Sequence, residues 1–293
     1  MSIAPQLIAN GIIAGGIYAL VALGYTMVYG ILKFINFAHG EIFMVGAYVA
    51  WTASVLLGFP LIVATIIAML TAAILGFLIE KIAYKPLRNA GRLSPLITAI
   101  GVSLFLQALA LLIFGAQIRT FGTGTVEAGI PILGAVITKL QITIIVVSLV
   151  LMILLHLFVK YTKLGKAMRA VADNPEVASI VGIPIDNIIS TVFIIGSALA
   201  AIAGVLVGLE QNLQPTMGVS IGIKAFTAAV VGGIGNIYGA LLGGFLIGLA
   251  ENIGIWFIPS GYKDAIAFVI LILFLLVKPT GLFGAKQEEE VRA

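Results

Sequence analysis

The sequence predicts an all-α polytopic membrane protein: a bundle of about seven to eight transmembrane helices with a glycine-broken hairpin near its C-terminal end. Three observations point there. Of 293 residues, 61% are hydrophobic and 10% charged, with a mean hydropathy of +1.20, whereas soluble domains carry about 25% charge. Several uncharged runs approach the roughly 20 residues that cross about 30 Å of hydrocarbon as a helix. One region, 222–257, is longer than a span requires and is interrupted by GGIGN at 232–236. Residues 1–293 read as a single transmembrane domain, because the longest polar connection, 160–187, falls short of the about 40 residues an independent core needs.

The first run, 6–30, precedes the first charge, Lys33. A signal peptide places positive charge ahead of its apolar core, so this run reads as a retained span. Runs at 38–57, 60–80, 94–115, 141–159 and 188–208 follow, and a last one at 265–280. The connection 81–93 carries Lys81, Lys85, Arg88 and Arg92; the connection 160–187 carries Lys160, Lys163, Lys166 and Arg169. Both belong on the cytoplasmic side. Between them lies 116–140, an outer loop with only Arg119 and Lys139. Counting back across three spans places the N-terminus outside.

Glycine lowers helix propensity and permits unusual backbone angles, so 222–257 reads as a hairpin entering from outside. A short helix at about 222–232 turns at GGIGN and returns at about 237–257. The tail then ends inside, in keeping with Lys278, Lys286 and Arg292 against the lone Lys263. One tilted span over the same residues would put the tail outside. Gly235, Gly239 and Gly243 recur every four residues, and Gly244 and Gly248 repeat that spacing on an adjacent face, as close helix packing requires. Broken helices also line substrate sites in transporters. Gly232, Gly233, Gly235 and Asn236 are therefore either packing residues or part of a path.

Polar groups in the spans leave the same choice. Asn36, Phe37, His39 and Glu41 open the second run, either as an interfacial cluster or as a lining element of a path or inner gate. Gln107 and Glu251 sit deeper and suit bundle glue or a path, and His156 reads as packed near a span end rather than as a metal ligand. There are no cysteines, and no constellation suggests a catalytic, cofactor or metal site. GVSIG at 218–222 has no later histidine to serve a nucleophile elbow. A pI near 9.3 fits cytoplasmic loops rather than nucleic-acid binding, which needs a basic solvated face.

The most sharply written polar stretch is 174–182. Asn174 suits a cap, Pro175 the first helical position and Glu176 the positive end of the helix dipole. Val177, Ile180 and Val181 form one apolar face, and Gly182 ends the helix. Two turns are unstable alone and need a surface to pack on, either the chain's own bundle or bilayer, or a cytoplasmic partner. AVADNPEVASIVGI (170–183) resembles the ATPase-coupling loop of ABC-importer permeases of the branched-chain amino-acid class. INFAHGEIFMVGAY (35–48), AFTAAVVGGIGNIYGALLGGFLIGLAE (225–251) and KPTGLFG (278–284) resemble that family's other motifs, so the likeness runs along nearly the whole chain.

The resemblance implies a permease subunit in the bacterial inner membrane that moves leucine, isoleucine or valine inward. Its implied partners are a second related permease, two cytoplasmic ATPases and a periplasmic solute-binding protein, besides the lipid bilayer. Ala170, Asp173, Asn174, Pro175, Glu176, Val177, Ala178, Gly182 and Ile183 would form the element that meets the ATPase. No G-x-x-x-x-G-K-[ST] occurs in the chain, so ATP and magnesium would be bound by the partner ATPases. Urea, short amides and other neutral amino acids are substrates of the same class to weigh. An ion-coupled secondary transporter is the rival reading, with only Glu251 and Glu210 near the depth it needs.

Overall fold

A computed structural model describes residues 3–88, 90–91, 93–122 and 128–284. Arg92, Lys286 and Arg292, counted above among the basic residues, lie outside the described residues. Helices run at Ala4–Leu32 (α1), His39–Trp51 (α2), Leu61–Ile79 (α3), Leu93–Phe114 (α4), Lys139–Tyr161 (α5), Lys163–Asp173 (α6), Pro175–Ile180 (α7), Ile185–Glu210 (α8), Met217–Gly232 (α9), Ile237–Gly254 (α10) and Lys263–Val277 (α11). Turns of π-helix carry α2 on to Leu56 and α3 on to Tyr84. Among the described residues, seven helical stretches are long and apolar enough to cross a membrane; α2, at 13 residues, and α9, at 16, are not. The all-helical, membrane-spanning expectation holds.

Local chemistry sets the ends. Pro5 sits in the first turn of α1, and Pro60 directly precedes α3. Thr138 and Gln141 form a reciprocal capping box that starts α5. Thr162 closes α5 by donating to the Phe158 carbonyl at 2.7 Å and opens α6 by accepting from the Gly165 amide at 2.9 Å. One hydroxyl thus makes a sharp corner between two helices.

α1 and α8 are the buried centre of the bundle, while α4 and α11 turn most of their apolar surface outward. That outward surface is what a lipid-facing helix presents. α3 packs against α8 and buries Ala64, Ala68, Ala72 and Gly76, a stripe of small residues at four-residue spacing, with Gly76 against Phe193 and Ser197 of α8.

The glycine-broken region is two helices. α10 lies between α9 and α1, and its glycines divide between those neighbours. A Cβ at Gly239 or Gly243 would strike the backbone of Gly232 or Ala228 on α9; one at Gly244 or Gly248 would strike Ala19 or Gly15 on α1. The four-residue spacing is therefore a two-sided helix interface. α9 begins at Met217 rather than at 222, because Gly218 and Gly222 let it lie against Gly40 of α2. The turn at 233–236 lies at the end of the bundle that carries Lys33 and α6, where a Cβ at Gly235 would stand 3.9 Å from the Gly30 Cα. There the segment 278–284 is hydrogen-bonded to it: the Leu282 amide donates to the Val231 carbonyl (2.8 Å) and the Phe283 amide to Gly232 (2.9 Å).

Two connections hold more regular structure than the sequence reading assigned them. The outer loop, 116–140, contains an antiparallel hairpin, Ile130–Ile132 (β1) with Ala135–Ile137 (β2). Its turn places Leu133 and Gly134 both at positive φ (49° and 87°), the geometry of a tight hairpin that usually announces itself with Asn-Gly. The Gln6 side chain clamps it to α1, accepting from the Val136 amide at 2.8 Å. The connection 160–187 is also more ordered than a loop with one short helix. Its first part is α6, anchored by buried Gly165, Met168 and Val171.

Candidate functional site

The capped stretch folds as its residues dictate. The Asn174 side chain accepts from the Val177 amide at 3.1 Å, Pro175 takes the first helical position, and Glu176 lies in the first turn. At the other end Gly182 adopts φ +83°, the Ile183 amide donates to the Ala178 carbonyl, and the Gly182 amide donates to Ser179. These paired bonds are a Schellman ending.

Burial then separates the side chains. Ala178 is 2% exposed and holds α7 to the bundle, and Ala170 and Ile183 pack partly against the core. Asp173, Asn174 and Glu176 are exposed. The apolar face points away from the protein: Val177, Ile180 and Val181 are 54%, 82% and 69% exposed. The chain's own bundle is not the surface on which this face packs.

Residues of the second motif are brought together, but deep inside. Asn36 is buried and accepts from the Tyr84 hydroxyl at 2.6 Å. His39 occupies the space that a side chain at Gly24 would fill, edge-on to Tyr25 with ring centroids 4.9 Å apart. Glu41 is 1% exposed, receives the Ser103 hydroxyl at 3.3 Å and lies against Gly218. Phe37 faces Phe226 at 5.9 Å. Asn36, His39 and Glu41 are buried within the protein. They join α1, α2, α4 and α9 where α2 begins. Gln107 stands apart, half-buried on α4.

The turn residues divide as well. Gly232 and Gly233 are packing positions, crowded by Gly239 and by the backbone of Phe283 and Gly284. Gly235 and Asn236 instead line a cavity of about 620 Å³ beside α1, α5 and α6, with Lys33, His156, Arg169 and Asp173 on its walls. Asn236 also caps α10 by accepting from the Tyr238 and Gly239 amides (3.0 and 3.1 Å). A second cavity, of about 570 Å³, lies across α1 between Tyr29, Phe34, Tyr84, Leu96, Pro175 and Ile189. None of Asn36, Phe37, His39 or Glu41 lines either one.

Two charge clusters escaped the sequence reading. Lys224 of α9 is 7% exposed; its ammonium lies 2.6 Å from Asp264 and 3.4 Å from Glu251, which is wholly buried. The Tyr18 hydroxyl donates to Glu251 at 2.8 Å, and Lys263 stands 4.0 Å away. The available signal was that Lys224 and Glu251 are the only charges between Met217 and Phe257, and opposite in sign. At the α7 end, Arg88 pairs with buried Glu80 and with Asp186, and Ser190 donates to Glu80 at 2.8 Å. Part of the basic connection 81–93 thus pins α3 to the start of α8.

Comparison with known proteins gives this architecture a family. The model of the family described as "Branched-chain amino acid transport system / permease component" matches residues 7–275. The high-affinity branched-chain amino acid transport system permease protein BraD of Pseudomonas aeruginosa is 45% identical, over 98% of this chain and 97% of its own. The corresponding LivH proteins of Salmonella typhimurium and Escherichia coli are 43% and 42% identical over the same shares. Among solved structures, PsaBC from Streptococcus pneumoniae in complex with Fab superposes with a TM-score of 0.51 at 13% identity, over 96% of this chain and 93% of that one. An inward-facing ABC transporter described as of metal-chelate type gives 0.53 at 17% identity, over 95% and 91%. Those two likenesses show the fold alone. On the match along its length and the identity to full-length relatives, this chain belongs to the branched-chain amino acid transport permease family.

Proposed function

We propose that this chain is a permease subunit of an ATP-binding-cassette importer that carries branched-chain amino acids inward across the inner membrane. It works with a second, related permease, two cytoplasmic ATPases that bind ATP and magnesium, and a periplasmic solute-binding protein. The N-terminus and the β1–β2 hairpin lie outside; Lys33, α6–α7 and the turn at 233–236 lie on the cytoplasmic side, where the basic connections belong. The relatives' substrate supports the choice of leucine, isoleucine and valine.

The observation that carries the coupling role is α7. A six-residue helix fixed at both ends, turning Val177, Ile180 and Val181 away from its own chain, is built to be gripped by another protein. Helix-in-groove recognition reads such spaced apolar anchors. An ATPase that closes on this face moves α7, and Ala178 with the corner at Thr162 passes the motion to α6, α5 and α8.

The test is ATP-driven leucine uptake by the reconstituted four-subunit assembly with its binding protein. Val177→Glu with Ile180→Glu is expected to abolish uptake and release the ATPases from the purified permease, while the permease pair stays folded. Ala178 is a poorer probe, since its side chain is buried against the bundle. Undiminished uptake in the double variant would remove α7 from the mechanism.

A further inference from the structure

The cavity beside the 233–236 turn holds more directed polarity than a packing gap requires. We infer that it is a product site: a pocket at the inner mouth of the path that takes a zwitterionic amino acid with an apolar side chain. This rests on the transport reading above. Its volume, about 620 Å³, is in the range of small-molecule sites.

Each part of such a ligand has a matching wall. For the carboxylate there is Lys33, which makes no ion pair among the described residues; the first turn of α10, whose Tyr238 and Gly239 amides are taken by Asn236, adds only the field of its positive end. For the ammonium there is Asp173, the one acidic residue among the described residues of the lining. Met27, Ile31, Val159, Val192 and Ile234 give an apolar bed for a branched side chain.

Two further cations, Lys160 and Arg169, edge the cavity. Arg169 is partly engaged, donating to the Lys160 carbonyl at 3.2 Å. Met168, Arg169 and Asp173 are residues of α6, which runs directly into α7. An occupant therefore touches the element that meets the ATPase, so accumulated product slows the cycle that delivers it.

The experiment uses the whole permease–ATPase assembly in nanodiscs, without binding protein, and measures equilibrium binding of radiolabelled leucine. Inorganic phosphate is the competing anion. Saturable leucine binding that resists phosphate, and that weakens at least about tenfold in Lys33→Gln, as loss of a charged hydrogen-bond partner requires, is the expected result. Asp173→Asn, nearly equal in size, is expected to weaken binding by several-fold through loss of the charged partner of the ammonium. Leucine added inside proteoliposomes should slow uptake, with the same order of sensitivity across the variants. Phosphate binding without leucine binding would overturn the inference, as would unchanged leucine affinity in both variants. A preparation that imports leucine yet binds none in this assay loses the product site and keeps the transport reading. One that neither imports nor binds leucine loses both.

Discussion

α7 and the α9–α10 hairpin use opposite means to hold short helices in place. α7 keeps its apolar residues outside and is fixed by local bonds: an asparagine cap at one end, a glycine ending at the other. The hairpin keeps its charges inside and is fixed by neighbours: glycines that admit α1 and α9, and Lys224 held by Glu251 and Asp264. Exposure is thus decided by what each element must meet. On the proposed reading, the face of α7 stays apolar because another protein covers it, while a charge inside a bundle must bring its own partners.

The comparison breaks most visibly at Lys224. Lys224→Met strands Glu251, which is wholly buried, and removing one partner of a buried pair costs about 3–5 kcal/mol. A large drop in the thermal midpoint of the detergent-solubilised permease is expected. Lys224→Met with Glu251→Leu should recover most of it, because the buried carboxylate is removed with its partner and Asp264, which also loses Lys224, is exposed enough to be solvated. If the double variant is as damaged as the single, the pair contributes something beyond mutual neutralisation. Next in size is Gly243→Val, whose Cβ meets the Ala228 carbonyl. Overpacking of this kind costs about 1–3 kcal/mol and should separate α9 from α10, read as new cross-linking or protease access near 228. Gly235, with only Gly30 in reach, has no such crowding. A substitution there reports on the cavity and on its φ of +97° rather than on helix packing.

The hydropathic runs made the helices legible, because a span must satisfy its backbone internally and can do so only as a helix or a barrel. α7 was legible to the residue, since caps are local chemistry. The hairpin's break was legible too, at GGIGN. What the chain could not display was burial. His39 and Glu41 stand close to Lys33 in sequence, yet both are buried in the bundle, His39 against Gly24. Lys224 looks like an intruder until α10 and α11 bring their carboxylates. Long-range pairing has no periodicity to read. The β1–β2 turn was hidden for a different reason: Leu133 stands at positive φ where asparagine is usual, leaving Gly134 alone to mark the turn.

The smallest expected effect tests the other arm of the comparison. Asn174→Ala removes the bond to the Val177 amide, and losing such a cap costs about 1 kcal/mol. In a bundle held by packing elsewhere, that loss stays local. Hydrogen exchange across 175–180 should quicken by roughly fivefold, while the thermal midpoint of the whole permease is unchanged. Asn174→Asp, which keeps the acceptor, should leave exchange as it was. If Asn174→Ala instead lowers the global midpoint, α7 is part of the bundle's own stability. Its exposed face would then owe its position to packing through Ala178 rather than to its caps. If exchange alone moves, and ATP-driven uptake falls with it, the grip of the ATPase depends on how often this short helix is formed.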